Sequence, residues 1–255
     1  MIERLKVGPI GENVYILPFD TKSDLDRPGS ACVLVDPGDA AERILAVLDR
    51  KQLKVRCIAL THGHLDHISA IPALFAAWEK RGESFEAAPD GPAGQTPGKP
   101  LHHPPLAIHS ADAAYLGPSS EETNRRTFMA IGAIGFFKNY AAPMPPADIL
   151  LKDGGRVAGS MWRVIHSPGH SAGSICLYCP ELGVLVSGDT LFRDGFGRTD
   201  GPDSDSAALE RSIGSAVFPL PAETIVLPGH GEPTTIGRER DNIDDAEEFF
   251  GLNDD

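Results

Sequence analysis

Between Thr61 and His67 the chain reads THGHLDH, which places His62, His64, Asp66 and His67 within six consecutive positions, directly after the apolar run at 55–60. Imidazole and carboxylate groups are costly to bury unless each finds a partner, so packing alone gives no reason to gather them. Metal coordination does. His62 and His64 stand two apart on chain leaving an expected strand, where alternate side chains share a face, so both rings can meet one ion. Asp66 and His67 are adjacent at an expected helix start and can face a second. Imidazole nitrogens with a carboxylate suit zinc, with manganese or iron as alternatives, and the motif contains no soft thiolate. A lone histidine is more often a packed or surface residue, but four ligand-type side chains in six positions are poorly explained that way.

Four more polar residues fall just past expected strands. Asp36 lies in VDPG, His170 in HSPGHSAGS, Asp189 in VSGDT and His230 in LPGHGEP. Strand ends are where a rigid scaffold hands side chains to loops, so residues from several strands can converge at one edge. With the cluster they make a candidate metal site.

The elements that must position them follow from hydrophobic pattern. Strands are expected at 13–17, 31–35, 55–60 and 106–109, and an amphipathic helix at 40–51, where Ile44, Leu45, Val47 and Leu48 share a face. Helical pattern returns at 67–78, 111–116 and 124–137. The second half reads as strands at 149–151, 161–165, 174–178, 184–187 and 224–227, with helical segments at 206–216 and 236–250. Two sheets packed face to face with helices outside accommodate this order, and a doubly wound parallel sheet can also be drawn from it. Gly and Pro crowd the stretch 79–105, which is read as an exposed loop insertion. No internal repeat is found.

Composition sets the outer limits. With 255 residues, 41% of them hydrophobic, the chain is expected to form a single domain over 1–255, ending in an acidic tail at 251–255. A formal charge of −13 repels polyphosphate, so no nucleic-acid partner is expected. Charges at Glu3, Arg4 and Lys6 argue against a signal peptide, and no apolar run is long enough to span a bilayer. A cytoplasmic protein without membrane attachment is the expectation. Cys32, Cys57, Cys176 and Cys179 sit among apolar segments and read as buried thiols of a reducing compartment. The spacing of Cys176 and Cys179 suggests a redox or zinc pair, but in a strand those side chains point to opposite faces.

THGHLDH together with HSPGH, SGDT and LPGHG resembles the metallo-β-lactamase superfamily, whose leading motif is T-H-x-H-x-D-H. Within it, GENVYIL, VDPG, HSPGHSAGSICLY, GDTLFRDGFGRTD and LPGHGEPTTIGRER are most similar to the glyoxalase II-like, or hydroxyacylglutathione hydrolase-like, short-form enzymes. The likeness runs from Asn13 to Arg240. It implies an α/β fold of four layers (α+β, αββα), with two mixed sheets face to face and helices outside. It further implies two divalent ions, zinc first. His62, His64 and His170 would hold one ion, Asp66, His67 and His230 the other, and Asp189 would bridge them. The implied function is hydrolysis of S-acyl thioesters such as S-lactoylglutathione by a metal-bridging hydroxide, with Asp66 orienting it and carrying a proton. The expected partner is therefore a small acyl thioester; the sequence leaves the oligomeric state open.

Smaller roles follow from the same resemblance. Asp36 matches a carboxylate that orients a ligand histidine, although an Asp before Pro-Gly also forms turns. Arg198 in GFGRTD falls where related enzymes carry a basic group for the substrate, although a solvated arginine reads the same way. Lys138 and Tyr140 are candidates for the pocket mouth. The four remaining histidines are given no metal role: His166 is assigned a structural hydrogen bond, His102 and His103 a solvated place, and His109 the end of a strand. Ala70 stands where the family's motif commonly has Gly. Glyoxalase II enzymes add a glutathione-binding helical domain after the metal core, whereas this chain ends 25 residues past His230, which puts the thiol part of the substrate in question. Lactone or phosphodiester hydrolysis and mononuclear iron persulfide oxidation are the competing activities within the fold. A closed, non-enzymatic metal module is the remaining one.

Overall fold

The computed structural model describes residues 2–86 and 101–244. The centre of the expected insertion, the acidic tail and the end of the helical segment at 236–250 lie outside the described residues.

The first sheet contains β1 (Glu3–Val7), β2 (Glu12–Pro18), β3 (Ala31–Val35), β4 (Lys54–Ala59), β5 (Leu106–His109) and β6 (Ile149–Leu151), paired in that order. Its first two pairings are antiparallel and the rest parallel. The second half supplies β7 (Arg163–His166), β8 (Ile175–Cys179), β9 (Val184–Gly188), the short hairpin β10 (Leu191–Phe192) and β11 (Gly195–Phe196), then β12 (Ile225–Pro228) and β13 (Thr234–Thr235). Five of these form a second sheet in the order β13-β12-β9-β8-β7. Helices α1 (Ala41–Lys51), α2 (Leu65–Ile68), α3 (Ile71–Arg81), α4 (Ser120–Ala130), α5 (Ile134–Tyr140), α6 (Ser206–Ser212) and α7 (Ile236–Asp244) fill the connections.

Strand alternation decides the layers. Val33 and Val35 face the second sheet, packing in one buried cluster with Trp162, Leu177 and Val186. Cys32 and Leu34 face the other way, packing with Ile44 and Leu48 of α1 and Leu74 and Trp78 of α3. The outer face of the second sheet is covered in the same manner, with Leu185 and Val226 against Val217 and Ile236. The architecture is therefore helix, sheet, sheet, helix, and the doubly wound alternative is set aside. Trp162 is fully buried between the sheets, its Nε1 donating to the Pro18 carbonyl at 2.8 Å. All four cysteines are buried and free, and Cys176 and Cys179 do lie in clusters on opposite faces of β8.

Two expected helices are each two helices. The pattern at 67–78 begins earlier as α2 and restarts as α3, with Ala70 N bonded to the Pro37 carbonyl. The pattern at 124–137 breaks where Gly132 adopts φ +74°, a left-handed turn in which Ala133 N reaches the Phe128 carbonyl and ends α4. No helix among the described residues is long and apolar enough to cross a membrane.

What positions the site is strand direction. β3, β4 and β5 run parallel to one another. β7 and β9 are both antiparallel to β8, and β12 is parallel to β9, so these three also share a direction. Their carboxyl ends open on shared sheet edges, where loops gather functional groups.

Candidate metal centre

Each strand end delivers one part of the cluster. The carboxyl end of β4 leads through Thr61 and His62 into α2, which follows the extended N-cap residue His64 and carries Asp66 and His67 in its single turn. β7 leads to His170, β9 to Asp189 and β12 to His230. All seven expected ligands come together. The donor atoms of His62, His64 and His170 lie within 4.8 Å of one another, as do those of Asp66, His67 and His230. Asp189 stands between the groups: Oδ1 is 3.5 Å from His67 Nε2, and Oδ2 is 3.6 Å from His170 Nε2 and 3.7 Å from His230 Nε2.

Hydrogen bonds on the far side of the rings determine which nitrogen faces inward. Thr61 Oγ1 donates its one proton to Asp36 Oδ2 at 2.6 Å, so it can only accept from His62 Nδ1 at 3.1 Å. His67 Nδ1 donates to Asp36 Oδ2 at 3.1 Å, and His170 Nδ1 to the Arg198 carbonyl at 2.8 Å. Each of these rings therefore turns an Nε2 lone pair to the centre. His62 Nε2, His67 Nε2 and Asp189 Oδ1 are buried with no hydrogen-bond partner. His170 Nε2 faces His64 Nδ1 at 3.0 Å, a separation that requires a shared proton or a cation between them. Buried lone pairs converging with carboxylates fit a cationic occupant, and the donor set of imidazole and carboxylate fits divalent transition metals.

Electrostatics agree with that fit. Burial, with His67 and His64 beside it, pushes His62 well below the usual imidazole range, and burial with His170 takes His64 down to about 3, so both present neutral lone pairs. Burial alone would raise Asp189, but His67, His170 and His230 hold it at about 2. Asp66 is likewise lowered, burial being outweighed by His67 and His230. The carboxylates conversely raise His67 and His230 against their burial, which marks both as places where positive charge is wanted.

Several residues that sequence reasoning left out hold the centre in shape. Asp112, buried beyond β5, accepts from Gly63 N at 3.1 Å, Ser171 Oγ at 2.7 Å and Gly173 N at 2.6 Å, tying the His62–His64 chain to the His170 loop. Asn13 Nδ2 donates to the Pro228 and Gly231 carbonyls, each at 2.9 Å, bracketing His230, and Tyr15 Oη donates to Pro228 at 2.8 Å. GENVYIL thus serves the His230 loop; its polar residues at alternate positions in an apolar strand were the available signal. Gly229 is required by closeness, since a Cβ there would stand 2.3 Å from Asp189 Oδ1 and 2.7 Å from His67 Cε1. Glu12 is buried 4.0 Å from His67 Nδ1, and burial, against the pull of His67, raises its carboxyl well above the usual range.

The other sequence candidates are placed as follows. Asp36 also accepts from Thr61 N at 2.7 Å, so it fixes the start of the cluster as well as His67. Arg198 lines the cavity, but its Nε and Nη2 are each 2.6 Å from the Asp200 carboxylate, and it is its carbonyl that reaches His170. Tyr140 stacks on Phe136 instead of lining the cavity, and Lys138 is exposed outside it. His166 bonds the Ala172 carbonyl at 3.0 Å and stacks on His109, while His103 stacks on Phe75 and His102 is exposed.

A cavity of about 460 Å³ opens over His64, Asp66, His170, Asp189 and His230. A larger one, about 610 Å³, lies at the amino ends of β9 and β12 among Met161, Leu182 and Ile225, away from every candidate ligand.

A family model described as the metallo-beta-lactamase superfamily matches residues 25–90 and 96–230. The hydroxyacylglutathione hydrolase GloC of Haemophilus influenzae is 32% identical over 94% of this chain and 94% of its own length. A probable metallo-hydrolase of Bacillus subtilis, YqgX, is 28% identical over 93% of both. Among solved structures, the BLEG-1 B3 metallo-beta-lactamase superposes with a TM-score of 0.73 at 32% identity, over 94% of this chain and 97% of that one. TTHA1623 in a di-iron-bound form superposes at 0.69 and 31% identity, over 93% and 96%.

Proposed function

The chain belongs to the metallo-beta-lactamase superfamily, and from that premise we propose that it is a metal-dependent hydrolase of the glyoxalase II type, cleaving S-acyl thioesters such as S-lactoylglutathione. The observation that carries this reading is the position of Asp189, within 3.7 Å of His67, His170 and His230, on the floor of an open cavity. The likeness to a hydroxyacylglutathione hydrolase over nearly the whole chain supports the choice of substrate class.

His62, His64 and His170 would hold one divalent ion and Asp66, His67 and His230 another, with Asp189 shared, zinc being the first candidate and iron or manganese the others. Ions so placed would supply a water of lowered pKa, towards about 7, and a Lewis acid for an acyl carbonyl. The chain's own groups then orient and exclude. Asp66 lines the cavity with Oδ2 3.1 Å from His230 Nε2, where it can accept a hydrogen bond from the attacking water and orient it. Ser204 Oγ donates to the His170 carbonyl at 2.7 Å and so braces that ligand without being free to attack. No cysteine competes as nucleophile, because all four are buried and burial raises each thiol, that of Cys176 up to about 11 and that of Cys32 to about 12. A thiolate leaving group needs little protonation, which fits a cavity with no separate general acid among its described residues.

The test is a hydrolysis panel of S-lactoylglutathione, other acyl thioesters, lactones and phosphodiesters, run beside metal analysis. Thioester turnover is expected, and His64→Ala or Asp189→Ala should abolish it and lower metal content. A preparation with one iron per chain that consumes oxygen on glutathione persulfide overturns the reading.

A further inference from the structure

The cavity above the candidate ligands is walled by aromatic rings. Phe128 stands edge-on to His64 with ring centroids 6.3 Å apart, and Phe192 edge-on to His230 at 6.2 Å, so each proposed ion has a phenyl ring beside one of its ligands. Phe136 stacks on Phe128 at 5.4 Å and extends that wall outward; Ile10, Ile131 and Phe196 add further apolar lining, and Thr127, Arg198 and Ser204 the polar part outside the candidate ligands. Ile10 is 55% exposed, and Phe136, Phe192 and Phe196 are half-buried, so this apolar surface faces the opening and not the core. Apolar walls with a few polar groups at the floor are the usual form of a small-molecule site, and rings this close to the centre offer their surface to an apolar part of the ligand.

Charge points the same way. Apart from histidines, Arg198 is the cationic residue among the described lining, and its guanidinium is already matched by both oxygens of Asp200. The carboxylates of a glutathione tail would meet no uncommitted cation among those lining residues, and the chain as a whole carries −13. A neutral apolar group, by contrast, finds rings on both sides of the centre.

We propose that, among acyl thioesters, the site prefers one bearing a neutral, aromatic-sized apolar group that packs against Phe136, Phe128 and Phe192, and that this group contributes more to recognition than an anionic glutathione tail does. This rests on the thioester reading above for the reacting bond, and on the cavity wall for the remainder of the molecule. Burying such a group against the wall strengthens binding by about ten- to a hundredfold.

Two measurements on the metal-loaded full chain separate the claims. In the first, calorimetry compares two non-hydrolysable thioethers, S-benzyl-N-acetylcysteamine and S-methylglutathione. The benzyl compound is expected to bind at least about tenfold more tightly. Phe136→Ala and Phe192→Ala should each erode that preference while metal content is retained, with Phe136→Leu as the milder variant should an alanine chain not fold. Equal affinities, tighter binding of S-methylglutathione, or a preference untouched by the variants overturns the inference. In the second, turnover is measured on lactoyl and phenylacetyl thioesters of glutathione and of benzyl mercaptan. If none is hydrolysed the thioester reading fails, and the thioether affinities still decide what the wall recognises. If S-lactoylglutathione is the best of the set, the thioester reading stands and the apolar preference falls.

Discussion

His62, His67 and His170 are each held by a bond on the nitrogen that faces away from the centre, to Thr61, Asp36 and the Arg198 carbonyl respectively. Such bonds choose the tautomer before any ion arrives, so ordering the ligands costs little at the moment of binding. Asp112 does for the backbone what these groups do for the rings, because its three donors lie on the two loops that carry His62, His64 and His170. Asp112→Ala leaves Gly63 N and Gly173 N buried without their acceptor. Its expected cost is about 3 kcal/mol in denaturant unfolding, together with about a ten- to hundredfold loss of metal affinity. A variant with unchanged metal affinity would show that Asp112 serves folding alone.

At the scale of elements, the long periodic segments were legible in the sequence and the exceptions have local causes. The strand at 31–35 is a continuous apolar run buried on both faces, the helix at 41–51 carries a period of 3.6, and both stand where expected. β4 does not keep its period. Its register against β3 shifts between Cys32 and Val33, so Val55 packs with the outer cluster and Cys57, two residues on, with the inner one. β10, β11 and β13 are two residues long and have no period to read. The convergence of the seven candidate ligands was legible because ligand-type residues recur at strand ends. Asn13, Tyr15 and Asp112 were not, because their meaning lies in partners 49 to 218 positions away. β2 illustrates the consequence. Asn13→Ala removes both bonds that bracket His230, and an unfolding cost of about 1 to 3 kcal/mol is expected, with weaker binding at the ion that Asp66, His67 and His230 are proposed to hold. Stepwise metal titration checks this, since loss of affinity at both ions alike would place the effect elsewhere.

At the scale of the whole molecule, the candidate centre joins the two halves of the sandwich. His62, His64, Asp66 and His67 come from a strand of the first sheet, and His170, Asp189 and His230 from strands of the second. Several links already cross that seam without any ion, among them Ile175 N to the Thr61 carbonyl at 2.8 Å, Asn13 N to the Gly229 carbonyl at 2.8 Å, Tyr15 Oη to the Pro228 carbonyl at 2.8 Å and the Asp112 contacts. Each sheet also keeps its own outer core of helix and strand. Metal should therefore stabilise an assembled fold and not create one. A ligand at a hundred times its dissociation constant adds about 2.7 kcal/mol, which for a chain of this size raises Tm by about 5 to 10 °C. Chelation is expected to lower Tm by that order in a single cooperative transition, and to increase amide exchange at the carboxyl ends of β4, β9 and β12 while β3 and β8 stay protected. Asp189→Ala, which lacks the carboxylate shared between the halves, should respond much less to the chelator. If the metal-loaded chain showed no change in Tm on chelation, the ions would be guests of a rigid edge, and the cross-sheet coupling argued from these ligands would be wrong.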